Sequence, residues 1–236
     1  MSTIISQETK RSHIVIGILL TILLLFAFPF LGSSPVLHLF GLSKVNGTLF
    51  FISRLIFWCI LLVIFFYTKK VEKQPFLIWE ERNYTFSKYV IAMLSIFTAI
   101  LIGTALIQLI FLSMHYKEHS TKLDAIIAIF KNNIPLLIFT AITAGIAEEL
   151  IFRGYLLPRL EVLFKNSYLA IFISSLLFGL MHFSFGTLYN VLGPFIIGLA
   201  FAYYYWKYRN IKLIIVFHFL WDIIALLVHV TATVKK

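Results

Sequence analysis

The chain has 236 residues, of which 61% are hydrophobic and only 13% charged, and its net charge is +10. A soluble domain carries about 25% charged residues, and the mean hydropathy here is +0.96, so a water-soluble globular enzyme is excluded. The basic excess flanks apolar segments, the pattern of membrane-protein loops rather than of a nucleic-acid partner, and the single cysteine, Cys59, excludes an intrachain disulfide framework.

Apolar runs predict membrane spans at about 13–31, 48–67, 89–114, 134–157, 168–186, 188–206 and 211–230, each near the ~18–20 residues a crossing helix needs. Lys10 and Arg11 before the first run resemble the start of a signal peptide. The run continues to Leu31 without a clear small-x-small site, so it reads as a retained span. The charged stretch Thr68–Ser87 is the longest polar connection. Thr121–Lys131 places Leu123, Ile126, Ile127 and Phe130 at helical spacing. It is too short to cross and is expected to lie at the interface or re-enter.

The predicted fold class is therefore all-α, a polytopic transmembrane helix bundle of about seven spans, or eight. It is one continuous membrane domain, with N-terminal helices and a charged loop over 1–133 and the polar core over 134–230. With the N-terminus inside, twelve Lys and Arg fall in inner segments and six in outer ones. That bias predicts a cytoplasmic N-terminus. Arg54, near the start of the second span, reads as snorkelling to the outer headgroups. The Tyr203-Tyr204-Tyr205-Trp206 cluster before Lys207 and Arg209 reads as an interfacial belt.

The ionisable groups within spans concentrate in the second half. The fourth span carries Glu148, Glu149 and Arg153, the fifth His182, and the seventh His218 and Asp222. Carboxylates at membrane depth are costly and mark function by default. Six such groups on three spans predict one shared polar site. Glu149 and Arg153, four apart, suit an ion pair on one helix face, while Glu148 is rotated about 100° away and is left for chemistry. His218 and Asp222 are also four apart, so the aspartate could orient the imidazole or share a metal with it. Phe178 lies one turn before His182 and could wall the cavity. Gly179, Gly193 and Gly198 are positions where helices could approach closely. Simple depth counting puts Glu148 and His218 near mid-membrane and His182 closer to the outer end of its span.

The ordered motifs Glu148-Glu149-x-x-x-Arg153, Phe178-x-x-x-His182 and His218-x-x-x-Asp222 resemble those of the CPBP family of intramembrane proteases, which comprises CAAX prenyl endopeptidases and bacteriocin-processing and immunity (Abi) proteins. The resemblance covers about 134–230. It implies an intramembrane endopeptidase with catalytic Glu148, His182, His218 and Asp222, and supporting Glu149, Arg153 and Phe178. Glu148 would be the base that activates water, His182 would hold that water, and His218 with Asp222 would serve the oxyanion or the water network. Asp222 stands where the family accepts Asn or Asp. Two mechanisms fit: a metal-free one, favoured here, and one in which Glu148, His182, His218 and Asp222 supply ligands to a divalent metal such as zinc. No cofactor is certain.

The resemblance implies as partners the lipid bilayer and a membrane-associated peptide or protein, with no nucleic acid. It implies an integral protein of a bacterial plasma membrane. A catalytically silent bacteriocin-immunity or binding protein is the first rival, and a small proton-coupled transporter the second.

Overall fold

The computed structural model describes residues 11–27 and 46–232. The predicted end of the first span (28–31) lies outside these residues, as do Lys10, Lys44, Lys235 and Lys236 of the charge count. Among the described residues the regular structure is helical: α1 (Arg11–Ala27), α2 (Gly47–Glu72), α3 (Phe86–Ser113), α4 (Thr121–Lys131), α5 (Ile134–Phe164), α6 (Ser167–Phe185), α7 (Tyr189–Tyr208) and α8 (Ile211–Ala232).

Side-chain oxygens set the starts. Asn46, Ser120, Asn133, Asn166 and Asn210 each accept from a backbone N–H three residues on, at 2.9–3.1 Å, satisfying donors that a helix start leaves orphaned. Three ends are closed by cations in the left-handed region: Lys73, Lys165 and Arg209, with φ of 54°, 52° and 51°. Non-glycine residues seldom adopt that conformation, and a positive charge there complements the helix dipole.

Five helices (α2, α3, α5, α6 and α8) are long and apolar enough to cross a membrane. The count on those criteria is thus five among the described residues, against the seven or eight expected from the sequence. The first helix is apolar but has 17 described residues. The seventh has 20 residues, and its aromatic, lysine-bearing end makes it less apolar. Large side chains such as Leu19, Leu23 and Leu94 stand outward, about three-fifths exposed, while Glu72, Glu149, Arg153 and Arg159 are fully or almost fully buried. An apolar exterior around a charged interior is the arrangement a bilayer requires, and the chain is an integral membrane protein.

Close approach of α6 and α7 uses two of the three glycines named above. A Cβ on Gly179 would lie 2.8 Å from the Val191 carbonyl oxygen, and one on Gly198 would lie 3.2 Å from Ser175 Cα. At Gly193 a Cβ would meet nothing within 4 Å, so no close approach requires a glycine there.

One end of the bundle is pinned by polar contacts. Glu72 receives Arg159 Nε and Nη2 at 2.8 and 2.7 Å and the Tyr155 hydroxyl at 2.8 Å. The Arg209 guanidinium stacks over Trp79 at 3.4 Å, and Trp79 donates to Glu161 at 3.1 Å. Glu81 accepts from Ile211 N–H at 2.7 Å and from the Tyr205 hydroxyl at 3.1 Å. The charged stretch after α2 is therefore docked against the ends of α5 and α7 and the start of α8, and the polar chamber lies toward the opposite end.

Candidate active site

The local helix of Glu148 is not an α-helix. Ala144–Glu148 and Leu150–Leu156 are π-helical, a rare i→i+5 form found mostly at functional sites. The α-helical rotation expected from the sequence is thereby altered, and the two carboxylates still occupy different surroundings. Both carboxylates are buried, and only Glu148 lines the chamber.

Glu149 is buried inside and engaged through one of its two oxygens. Its Oε1 accepts from Arg153 Nη1 at 2.7 Å and lies 2.7 Å from His218 Nδ1. Arg153 Nη2 reaches the Gly198 carbonyl at 3.2 Å, while Glu149 Oε2 and Arg153 Nε have no hydrogen-bond partner. The rings of Phe178 and Phe201 close over the guanidinium at 4.5 and 5.3 Å. The aspartate one turn from His218 makes the looser contact, 3.6 Å from Nε2 to Asp222 Oδ2, beyond hydrogen-bonding distance. The imidazole is therefore held by Glu149 of α5 rather than by its own helix neighbour.

His182 begins a 3-10 turn, His182–Phe185, that ends α6. Its Nδ1 lies 2.8 Å from the Phe178 carbonyl oxygen. A carbonyl only accepts, so Nδ1 carries the proton and Nε2 is left for the chamber that His182 lines. Phe178 packs 5.0 Å from the His182 ring and 6.1 Å from the His218 ring, the wall its spacing suggested.

The chamber holds about 200 Å³ and joins Glu148, His182, His218 and Asp222. It resolves the depth mismatch, because it extends from the middle of α5 and α8 to the end of α6. Thr140, Ala144 and Pro194 line it as well, and α4 covers it with Leu123, Ile126 and Phe130. The short amphipathic helix is thus part of the site's roof.

Sequence reasoning missed Arg54. It lines the same chamber, with its guanidinium 4.7 Å from the Phe50 ring and 5.3 Å from Phe57, instead of reaching outward to headgroups. Its place seven residues into α2, about 10 Å along the helix, was the available signal. The Glu72–Arg159 pair was missed too, since its partners are far apart in sequence and each sits beside ordinary loop charges.

A three-ligand metal centre does not fit this geometry. Among the described residues no group of three or more His, Cys, Asp or Glu is placed to hold a metal ion, and Glu149 Oε1 and His182 Nδ1 are already committed. No step below is routed through a metal.

A buried acid and two histidines converging on a chamber inside an apolar helix bundle define a membrane protein built around a polar reaction-sized site. Residues 130–224, less than half of the chain, match the family model described as Type II CAAX prenyl endopeptidase Rce1-like. That segment contains all three motifs and agrees with the resemblance read from them. No curated protein and no solved structure matches the chain significantly.

Proposed function

We propose that the protein is an intramembrane endopeptidase of the CAAX-protease type, acting on a membrane-associated peptide or protein through water activated by Glu148. The observation that supports this most is the convergence of Glu148, His182, His218 and Asp222 on one chamber within the segment that matches the endopeptidase family. Glu148 takes a proton from water as the water oxygen attacks the scissile carbonyl carbon. His182, with its Nδ1 proton tied to Phe178, orients that water through Nε2. Protonated His218, held by Glu149, donates from Nε2 to the oxygen that becomes negative. The C–N bond then breaks and the proton on Glu148 passes to the leaving amine. Acid–base steps of this kind contribute roughly 10²–10⁴-fold each, and donors fixed before the charge develops add to them.

The basic, pinned end of the bundle holds most of the Lys and Arg of the inner segments, so with that end cytoplasmic the chamber lies toward the opposite side of the bilayer. Incubating the purified protein in liposomes with a reporter-peptide library, and reading products by mass spectrometry, tests the proposal. Defined hydrolysis products support it. Intact peptides after incubation with folded protein contradict it and favour the silent binding role.

A further inference from the structure

To orient the attacking water, His182 has to be held to within about 0.5 Å, yet the backbone that carries it is weak. It begins a four-residue 3-10 turn, His182–Phe185, a form with poorer hydrogen-bond geometry than the α-helix. The turn breaks at Gly186, with φ of 80°. One corner of the imidazole is fixed locally, because Nδ1 donates to the Phe178 carbonyl at 2.8 Å. A single hydrogen bond at one corner still lets the other corner swing.

Further support comes from outside α6. The Phe185 ring stacks on the imidazole, with centroids 6.0 Å apart and planes at 20°, within the offset range of favourable aromatic pairs. Phe185 is in turn gripped from α4. The Ser120 hydroxyl donates to the Phe185 carbonyl at 2.6 Å and accepts the Leu123 N–H at 3.1 Å. One side chain therefore starts α4 and ties down the end of α6. Lys122 Nζ also lies 6.0 Å from the Phe185 ring, and Leu123, Ile126 and Phe130 seat α4 over the chamber. The Ser120–Phe185 bond spans 65 residues of sequence and joins the chamber's roof to the wall that bears His182.

We infer that Ser120 is a positioning residue: through the Phe185 carbonyl it holds the Phe185 ring against His182 and keeps Nε2 aimed at the attacking water. The effect on rate rests on the endopeptidase reading, whereas the positioning itself can be read without turnover.

Three variants separate this role from helix capping. Ser120→Thr keeps both the cap and the donor. Ser120→Asp keeps the cap but, ionised, cannot donate, and Ser120→Ala loses both. Each is prepared with isotope-labelled histidine in lipid nanodiscs, and His182→Ala assigns the His182 ring signal in the NMR spectrum. One narrow signal is expected in the wild type and Ser120→Thr, and a shifted, broadened one in Ser120→Asp and Ser120→Ala as the ring leaves the Phe185 stack. Reporter-peptide hydrolysis by the same samples should show kcat lowered about three- to tenfold in the Asp and Ala variants, the range of one hydrogen bond. KM should be unchanged, and Ser120→Thr should match the wild type. Asp124→Asn breaks only the exposed His119–Asp124 pair at 2.6 Å beside the same helix start, and should leave both readings at wild-type values. A His182 signal unmoved in Ser120→Asp, or wild-type kcat in that variant beside a loss in Ser120→Ala, reduces Ser120 to a helix cap and overturns the inference. A His182 signal that responds as expected in protein that cleaves nothing contradicts the endopeptidase reading and leaves the positioning standing.

Discussion

Glu149 Oε1 stands 2.7 Å from His218 Nδ1, and the same oxygen receives Arg153 at 2.7 Å. One carboxylate thus fixes a histidine on α8 and neutralises an arginine on α5. The second glutamate of the pair is more than a counter-ion, because it sets which ring nitrogen of His218 is left for the chamber.

From this follows an unequal pair of variants. Glu149→Gln leaves the fully buried Arg153 without a neutralising charge, a change that costs about 3–5 kcal/mol in buried pairs. Asp222→Asn touches a side chain that is 27% exposed and 3.6 Å away, and should cost less than about 1 kcal/mol. Unfolding of both variants in detergent checks the ranking. A greater loss for Asp222→Asn would return the support of His218 to its own helix.

The glycines divide in the same way. Gly179→Ala pushes a Cβ to 2.8 Å from the Val191 carbonyl oxygen, and overpacking of this kind costs about 1–3 kcal/mol. Gly193→Ala meets nothing within 4 Å and should be neutral or slightly stabilising through its better helix propensity. Thermal unfolding of the two variants side by side separates them, and equal behaviour would contradict the close α6–α7 contact.

Much of this was legible in the sequence, and for definite reasons. Apolar run length located the helices, and ionisable residues inside those runs marked Glu148, Glu149, Arg153, His182, His218 and Asp222, because such groups are rare at that depth. Spacing on a helix also gave the Glu149–Arg153 pair. Partners on different helices were not legible: the i,i+4 rule favoured Asp222 for His218, whereas the bundle brings Glu149 nearer. Nor does spacing reveal the π-helical turns of α5, which depend on tertiary packing. Arg54 was misjudged because its nearness to a span end suggested an outward reach, while its neighbours Phe50 and Phe57 hold it inward.

Outside the spans, Glu81 gives a pH prediction. Burial pushes its carboxyl above the ordinary value of 4.5, although the Ile211 N–H and the Tyr205 hydroxyl pull it the other way. A folded value above the unfolded one means that its contribution to stability is fully present below the unfolded value and is lost as pH rises through the folded value. The Tm of the wild type minus that of Glu81→Gln should therefore rise as pH is lowered from about 7 to about 5. A difference that falls over that interval would reverse the sign of the burial effect.

The most direct test of the central claim is the hydrolysis rate of reporter peptides by purified wild-type protein beside Glu148→Gln and His182→Ala, with folding verified for all three. Water activation by Glu148, with His182 orienting that water, predicts cleavage by the wild type and a fall of at least about 10²-fold in each variant. Cleavage undiminished in Glu148→Gln, or none by folded wild-type protein, would contradict it.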